Sequence, residues 1–151
     1  MDFSKRKCPE CGVKGFRKKN VIDDFEAAWK DHKAVPIIVD LELYVCTNCG
    51  NYAASPSDVK KIDAAAEESI RLWSSMFIEK ILNVTKYTQK KLATECLGVS
   101  EVYISDLLKK KRTPKFQFWN SLKLFAIDPE GALKKLRRKV KREDFRPKKA
   151  S

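Results

Sequence analysis

Two short cysteine motifs constrain this chain more than any other feature: CPECG at residues 8–12 and CTNCG at residues 46–50. Two residues between cysteines let both thiolates of a motif reach one metal ion at roughly 2.3 Å, and Gly12 and Gly50 permit the positive φ that turns backbone amides toward the sulfurs. The pattern predicts one structural zinc ion with four ligands: Cys8, Cys11, Cys46 and Cys49. Such a shell is closed to substrate and water, so catalysis at the metal is not expected. Two unrelated thiol pairs are the alternative interpretation.

Charge and cysteine usage narrow the class of protein. The 151-residue chain has a formal net charge of +12, which favours polyanionic partners such as nucleic acid. The five cysteines are an odd number, and four of them form the two Cys-x-x-Cys pairs, which favours metal binding over a secreted disulfide framework. The fifth, Cys96, is expected only to pack on an apolar helix face. No apolar run approaches the roughly 20 residues that span a bilayer, and MDFSKRK has no signal-peptide core. We therefore expect a cytoplasmic protein that does not enter a membrane.

The segment between the cysteine motifs has the pattern of a small sheet. Apolar and polar residues alternate from Val39 to Val45, which predicts a half-buried strand leading to Cys46. The run at residues 25–29 is expected to pair with this strand, with residues 30–33 as the turn. His32, the single histidine, is then expected to be exposed, without a role as ligand or base.

A helix is predicted to begin at Ser55, with Ser55 as the N-cap and Pro56 at the first helical position. Apolar residues recur at three- and four-residue steps as far as Ile81, which indicates one long helix or two abutting ones. The predicted division of the chain is a zinc-binding domain at 1–55, a connecting helix at 56–70, a DNA-binding domain at 71–142 and a basic, disordered tail at 143–151.

The stretch from Thr88 to Pro114 has the pattern of a helix-turn-helix. Thr88 caps a first helix, Gly98 suits a sharp turn, and Ser100 caps a second helix. In the second helix Ile104, Leu107 and Leu108 are expected to face inward, and Glu101, Val102, Tyr103 and Asp106 outward. The basic run at 109–112 follows at once and would lie beside DNA phosphates. A helical hairpin inside a core, with a solvated charge run, is the alternative interpretation.

Two further helices are predicted after Pro114. The first is dense in aromatic residues, among which Trp119 is expected to be buried rather than to stack on bases. The second begins at Asp128-Pro129-Glu130, with the apolar positions Ala132, Leu133, Leu136 and Val140.

Taken together, these motifs resemble the MqsA-type antitoxins, which join a YgiT-type zinc finger to a Cro/repressor-like helix-turn-helix. The resemblance covers roughly residues 5 to 140 and depends on CPECG, LYVCTNCG, TQKKLA, YISDLLKKKRTP and IDPEGALKKL. Five residues separate Ala93 from Gly98 in sequence number, one more than in ordinary Cro/repressor-like motifs, and this family shares the extra residue. The resemblance implies a homodimer that binds palindromic operators through the C-terminal domain. It also implies that the zinc domain binds and neutralises a toxin, typically an RNA-cleaving protein.

The family's base-reading Asn and Arg fall on Val102 and Asp106, so the family operator does not carry over to this chain. Valine can contact only a thymine methyl, and aspartate can accept from a cytosine amino group. Gln89 is a plausible phosphate contact, and Ser105 matches a serine of the family. The candidate DNA-binding residues are Gln89, Glu101, Val102, Tyr103, Ser105, Asp106, Lys109, Lys110 and Arg112.

The expected fold is mainly α with a small β zinc-binding domain: a four-cysteine zinc finger, a connecting helix and a five-helix Cro/repressor-like domain. The expected function is that of a DNA-binding repressor and antitoxin, not of an enzyme, because no nucleophile with a base and no open metal position is visible. A stand-alone regulator, or an RNA- or protein-binding module with a degenerate helix-turn-helix, are the alternatives.

Overall fold

A computed structural model describes residues 3–138, with short strands followed by helices. The strands are β1 (Phe16–Asn20), β2 (Glu26–Trp29), β3 (His32–Pro36), β4 (Glu42–Cys46) and β5 (Tyr52–Ala53). The helices are α1 (Pro56–Thr85), α2 (Gln89–Lys91) with a π-helical continuation (Leu92–Leu97), α3 (Glu101–Leu108), α4 (Phe116–Ile127) and α5 (Pro129–Arg137). This order confirms the coarse prediction of a small strand region and a helical region. Within residues 3–138, no helix has the length and apolar character that crossing a bilayer requires.

The strands form two small antiparallel sheets. One has the order β1-β4-β5, and Phe16 lies opposite Cys46, so the pairing ends at the second cysteine motif. The other is the β2–β3 hairpin. The prediction that residues 25–29 pair with the strand before Cys46 is therefore wrong, because β1 occupies that place. In β1 only Phe16 is buried; this edge strand carries no apolar alternation by which the sequence could identify it.

The prediction that His32 is exposed in the turn is also wrong. The turn of the hairpin contains only Lys30 and Asp31, so His32 is the first residue of β3 and is 2% exposed. Its ring lies among three aromatic rings, with centroids 5.8 Å from Trp29, 5.5 Å from Phe116 and 5.4 Å from Trp119. Neither ring nitrogen has a hydrogen-bond partner among residues 3–138. His32 therefore belongs to the packing between the hairpin and α4.

Burial of His32 makes stability depend on pH. Desolvation lowers the pKa of His32 in the folded protein, although the Trp29 carbonyl and Asp31 oppose the change. The unfolded chain then binds more protons just below pH 6.5, so stability should increase as pH rises through this region, by at most about 1.4 kcal/mol per pH unit. Urea unfolding at pH 5.5 and 7.5 should show a smaller pH effect in His32→Phe than in the wild type. Equal pH effects in the two proteins would contradict the burial of His32 in its neutral form. Because both proteins contain the same cysteines, comparing them cancels any effect of cysteine ionisation on stability.

The long helix α1 is continuous over 30 residues, so it spans about 45 Å. Its start is the predicted one: the Ser55 hydroxyl accepts from the Asp58 N–H at 3.3 Å, and the Asp58 carboxylate accepts from the Ser55 N–H at 2.9 Å. This capping box satisfies two backbone groups that the first turn would leave free.

The segment predicted as a connector, residues 56–70, is also a packing surface. Ala65 and Ala66 are buried in one cluster with Ala27 of β2 and with Ile37 and Leu43, and their small side chains let the β2–β3 hairpin approach α1 closely. The Ile38 N–H donates to the Ser69 hydroxyl at 3.1 Å. One turn further, the Trp73 indole N–H donates to the Pro36 carbonyl at 2.9 Å. These contacts attach the strand region to α1.

The second half of α1 and the later helices share one core. Its buried residues come from α1, the π-helical segment, α3 and α4: Ile78, Ile81, Leu92, Ala93, Ile104, Leu107, Leu122, Phe125 and Ala126. The inward prediction for Ile104 and Leu107 is confirmed, and Trp119 is buried at 3% exposure as predicted. Leu136 is 54% exposed and does not join the core. Val140 and the predicted tail at 143–151 lie outside the described residues.

Candidate metal centre and nucleic-acid interface

The four cysteines of the two motifs come together at the end of the β1–β4 pair. Their sulfur atoms all lie within 4.8 Å of one another, with 3.6 Å between Cys8 and Cys49 and 3.7 Å between Cys11 and Cys46. A tetrahedron of sulfurs around a metal at about 2.3 Å has edges of about 3.8 Å. The cluster therefore fits one tetrahedral metal ion. Among residues 3–138 it is the only such group of possible metal ligands.

The two loops around the cluster repeat one backbone geometry. The Gly12 N–H donates to the Cys8 carbonyl at 2.8 Å, and the Gly50 N–H donates to the Cys46 carbonyl at 3.1 Å. Both glycines have positive φ, +72° and +75°, where a side chain would be strained. The predicted glycine conformations are thus present, and each loop directs backbone N–H groups at sulfur.

The electrostatics of the cluster favour a bound cation. Backbone N–H groups of Cys49 and Asn48 lower the pKa of Cys46 to about 6. The Asn51 N–H favours the Cys49 thiolate, but desolvation and the neighbouring sulfurs outweigh it and raise the pKa of Cys49 to about 12. Four thiolates this close repel one another unless a cation lies between them, so ionisation of the whole set requires a metal ion.

The first helix of the predicted helix-turn-helix accommodates the extra residue between Ala93 and Gly98 by means of a wider helical turn. The Thr88 hydroxyl caps α2 by accepting from the Lys91 N–H at 3.2 Å, and Gln89 follows at its first position. After Lys91 the backbone is π-helical, with one residue more per hydrogen-bonded ring than an α-helix. It ends at Gly98 with φ +64°, whose N–H donates to the Ala93 carbonyl. Ala93 and Gly98 therefore both keep their places although they are five positions apart in the sequence.

Fewer residues of α3 are exposed on the side away from the core than the sequence predicts. Glu101 and Val102 are exposed, Val102 at 69%, and Ser105 is half-buried. The ring of Tyr103 instead packs edge-on against Phe118, with centroids 5.1 Å apart. Tyr103 is therefore half-buried rather than outward, because α4 passes beside it.

Asp106 is held by an ion pair that the sequence does not reveal. Its carboxylate lies 3.5 Å from the Arg112 guanidinium. The same guanidinium lies 5.2 Å from the centre of the Tyr103 ring. Arg112 is exposed and still available on its outer side, but Asp106 already has a cationic partner within the protein.

The basic run after α3 has a defined backbone. The Lys111 N–H donates to the Asp106 carbonyl at 2.9 Å and the Lys110 N–H to the Leu107 carbonyl at 3.0 Å, which is the Schellman pattern of a helix end. Lys110 has φ +59°, a conformation in which glycine is usual. Lys109, Lys110, Lys111 and Arg112 are exposed. We call residues 109–113 the exit loop.

Helix α1 holds the exit loop and the end of α3 by side-chain hydrogen bonds that the sequence does not predict. The Arg71 guanidinium donates to the Thr113 hydroxyl at 2.7 Å and to the Glu67 carboxylate at 2.6 Å, and the Thr113 hydroxyl donates to Glu67 at 3.1 Å. The Ser75 hydroxyl donates to the Leu108 carbonyl at 3.1 Å. No periodic pattern could reveal this network, because its members lie about 40 residues apart in the chain.

A groove of about 450 Å³ lies between the start of α3, the exit loop and the start of α4. Its lining combines the Tyr103 and Phe118 rings with polar and basic side chains: Ser100, Arg112, Thr113 and Lys115. Lys115 is exposed and was not among the predicted DNA contacts. The groove places two cations and two hydroxyl groups beside the N-terminus of α3, a setting that suits a phosphate group.

Retaining Lys110 in a left-handed conformation has a measurable cost. A side chain at φ +59° is disfavoured relative to glycine by about 1 kcal/mol. We therefore expect Lys110→Gly to increase the free energy of unfolding by up to about 1 kcal/mol in urea titrations. Lys111→Gly is the matched control, because Lys111 has no positive φ and should lose rather than gain stability. Equal effects of the two changes would contradict the strain at Lys110.

Comparison with models of protein families and with curated proteins gives no match to this chain. A functional assignment therefore depends on the residues and the geometry described above.

Proposed function

We propose that this protein is a cytoplasmic DNA-binding repressor that also serves as the antitoxin of a toxin–antitoxin pair. The observation that carries the DNA-binding part is the construction around α3. Its inner face is anchored by Ile104 and Leu107, and its outer face exposes Glu101 and Val102. Ser75 bonds its last residue, Leu108, and Arg71 bonds Thr113 of the exit loop. A short helix with an exposed face and immobilised cations at its end suits the major groove and its flanking phosphates.

In this proposal only a few side chains contact the bases. Val102 contacts a thymine methyl group, and Glu101 or Ser105 accepts a hydrogen bond from a base edge. Asp106 contributes indirectly, since its ion pair holds Arg112 beside the backbone. Lys109, Lys110, Arg112, Lys115 and Gln89 contact phosphates and supply affinity without selection.

The four-cysteine cluster binds one structural zinc ion in this proposal, because an all-thiolate tetrahedral set selects zinc among common divalent ions. The resemblance to MqsA-type antitoxins supports a homodimer on a palindromic operator and a toxin, an RNA-cleaving protein, bound by the zinc domain. The exposed apolar side chains of Leu124 and Ile127 on α4, at 69% and 65%, are consistent with a contact between two copies.

A second candidate function is an interaction module whose helix-turn-helix no longer selects DNA sequences. It is favoured by the acidic Glu101 on the exposed face and by the engagement of Asp106 with Arg112. No exposed Arg, Asn or Gln lies on α3 itself, and these are the residues that most often read bases.

Binding of the zinc-loaded protein to its own upstream DNA and to random DNA of equal length, across a salt series, separates the two functions. The repressor should discriminate by about a thousandfold or more and show a steep salt dependence. Val102→Ala should reduce that discrimination by about tenfold, whereas Met76→Ala, a change at an exposed apolar residue of α1, should not. Equal affinity for both DNAs would refute operator recognition and favour the interaction module.

A further inference from the structure

The outer side of the N-terminal strand region is strongly basic. From Phe3 to Asn20 the chain carries a single acidic residue, Glu10, among seven basic ones: Lys5, Arg6, Lys7, Lys14, Arg17, Lys18 and Lys19. All seven are exposed. Among the ion pairs of residues 3–138 only Lys19 takes part, with Asp24 at 2.8 Å. The other six cations have no such neutralising partner within the described part of the protein.

Two of these cations lie against a pair of contacting aromatic rings, and two others lie opposite each other in a strand pairing. The Arg6 guanidinium lies 5.2 Å from the centre of the Phe3 ring, the Phe3 and Tyr44 rings are 4.9 Å apart, and the Lys18 ammonium lies 5.7 Å from the Tyr44 ring. Lys7 follows Arg6 and pairs with Lys14 in an antiparallel bridge. We call this surface, formed by Arg6, Lys7, Lys14 and Lys18 around Phe3 and Tyr44, the N-terminal basic face.

The pairing of Lys7 with Lys14 is unfavourable within the isolated protein. Residues directly opposite in an antiparallel pair have Cβ atoms about 5 Å apart, and like charges there are destabilising. A four-thiolate site with one divalent ion has a net charge of about −2, which offsets only part of the surrounding positive charge. The metal centre alone therefore does not account for this concentration of cations.

Carboxylates separate the N-terminal basic face from the exit loop. The groove between β4 and α1 is lined by Asp40, Glu42 and Glu68, and the adjoining groove beside Lys110 by Glu67 and Glu68. The N-terminal basic face is built on β1, β4 and the chain before them, whereas the exit loop follows α3, and neither groove is lined by a residue of β1. The two basic surfaces are therefore separate.

We propose that the N-terminal basic face is a second nucleic-acid site, which binds a phosphodiester backbone without sequence selection and independently of the helix-turn-helix. Arg6, Lys7, Lys14 and Lys18 contact successive phosphates, and this relieves the repulsion between Lys7 and Lys14. The half-buried Tyr44 ring, beside Lys18, offers an aromatic surface next to the backbone. The site goes beyond the proposed operator binding, because it would exist even if α3 read no sequence.

The test is binding of the full-length, zinc-loaded protein to labelled oligonucleotides of about 20 nucleotides, measured by fluorescence anisotropy across a salt series. Single-stranded RNA, single-stranded DNA and a random duplex identify which nucleic acid supplies the backbone. Lys7→Gln/Lys14→Gln/Lys18→Gln should weaken binding to the preferred probe by at least about tenfold, and lower the salt slope by about 2 for a single strand. The double variant Lys14→Gln/Lys18→Gln, which leaves the neighbour of Cys8 unchanged, should show an intermediate loss.

Two matched variants control for net charge and for the exit loop. Lys33→Gln/Lys60→Gln/Lys80→Gln removes the same charge from exposed positions on β3 and α1 and should leave the affinity within about twofold. Lys109→Gln/Lys110→Gln/Lys111→Gln should spare binding to both single-stranded probes, because the proposed contacts of the exit loop are with duplex DNA. The inference fails if the N-terminal triple variant binds every probe as the wild type does, or if either control loses as much affinity. Selective binding to upstream DNA is measured separately, so either site can fail without the other.

Discussion

Chelation of the metal ion should shift the tryptophan fluorescence of this protein to longer wavelength while most of its helical circular dichroism remains. Metal binding contributes folding free energy directly, about 10–16 kcal/mol for zinc in small finger domains. The strand region has only a small core of its own to replace that contribution. Its buried residues include Val21, Ala27, Ile37, Leu41, Leu43 and Val45 in one cluster, Phe3 and Phe16 near the cysteines, and His32 and Val35 of β3.

All three tryptophans of the chain report on this event. Trp29 lies in the hairpin, Trp73 donates to the Pro36 carbonyl, and Trp119 packs beside His32. Unfolding of the strands would expose each of them to water. The core around Ile78 and Leu122 has no contribution from the strands, so the helices should keep their structure.

Cys46→Ser should reproduce the chelated state without a chelator, because three thiolates no longer close the shell. Cys96→Ser is the matched control, since Cys96 lies outside the metal cluster and its change should leave metal content and fluorescence unaltered. Loss of strand and helix signals in one transition would contradict the division at residue 55. In that case the contacts of Ala65, Ser69 and Trp73 would make α1 and the strands a single folding unit.

Removal of the exit-loop charges should weaken the proposed operator binding by roughly two to three orders of magnitude. Each phosphate contact adds about 0.9 to the salt slope, so at about 0.1 M salt three contacts account for a few hundred-fold in affinity. We expect Lys109→Gln/Lys110→Gln/Lys111→Gln to show this loss in a salt series on upstream DNA. The triple change at Lys33, Lys60 and Lys80 removes the same charge elsewhere and should have a much smaller effect.

Arg71→Met tests whether the loop must also be held in place. It removes the bonds to Thr113 and Glu67 but no exposed cation of the loop. We expect about tenfold weaker binding, equivalent to about 1.4 kcal/mol, with a smaller change in salt slope than in the lysine triple. Thr113→Ser keeps the hydroxyl and should bind normally. Wild-type affinity in Arg71→Met would show that the loop needs no support from α1.

Local chemistry made part of this structure predictable. The cysteine loops, the Ser55 cap and the inward positions Ile104 and Leu107 depend on neighbours within a few residues, so their patterns are readable in the sequence. The grouping of four distant sulfurs was also predictable, because one metal ion requires ligands from both motifs.

Long-range packing accounts for what the sequence did not reveal. Strand β1 is recognisable only from its partner β4, since four of its five side chains are exposed. His32 is buried by α4, which begins more than 80 residues later. The sequence predicts Asp106 as an exposed hydrogen-bond acceptor, whereas in the structure its carboxylate forms an ion pair with Arg112. In each case the deciding contact comes from another element.

The π-helical segment accommodates one more residue between Lys91 and Gly98 than α-helical geometry would. The additional residue lies within the helix, where one wider ring accommodates it, and not in the turn, where it would displace α3. Thr94 and Glu95 are exposed there, whereas Leu92 and Ala93 are buried. A single-residue deletion at Glu95 should thus return this helix to ordinary α-geometry and be tolerated, while an insertion between Gly98 and Ser100 should not. The segment therefore separates the length of this helix from the position of α3, because a change of one residue is absorbed within a single helical turn.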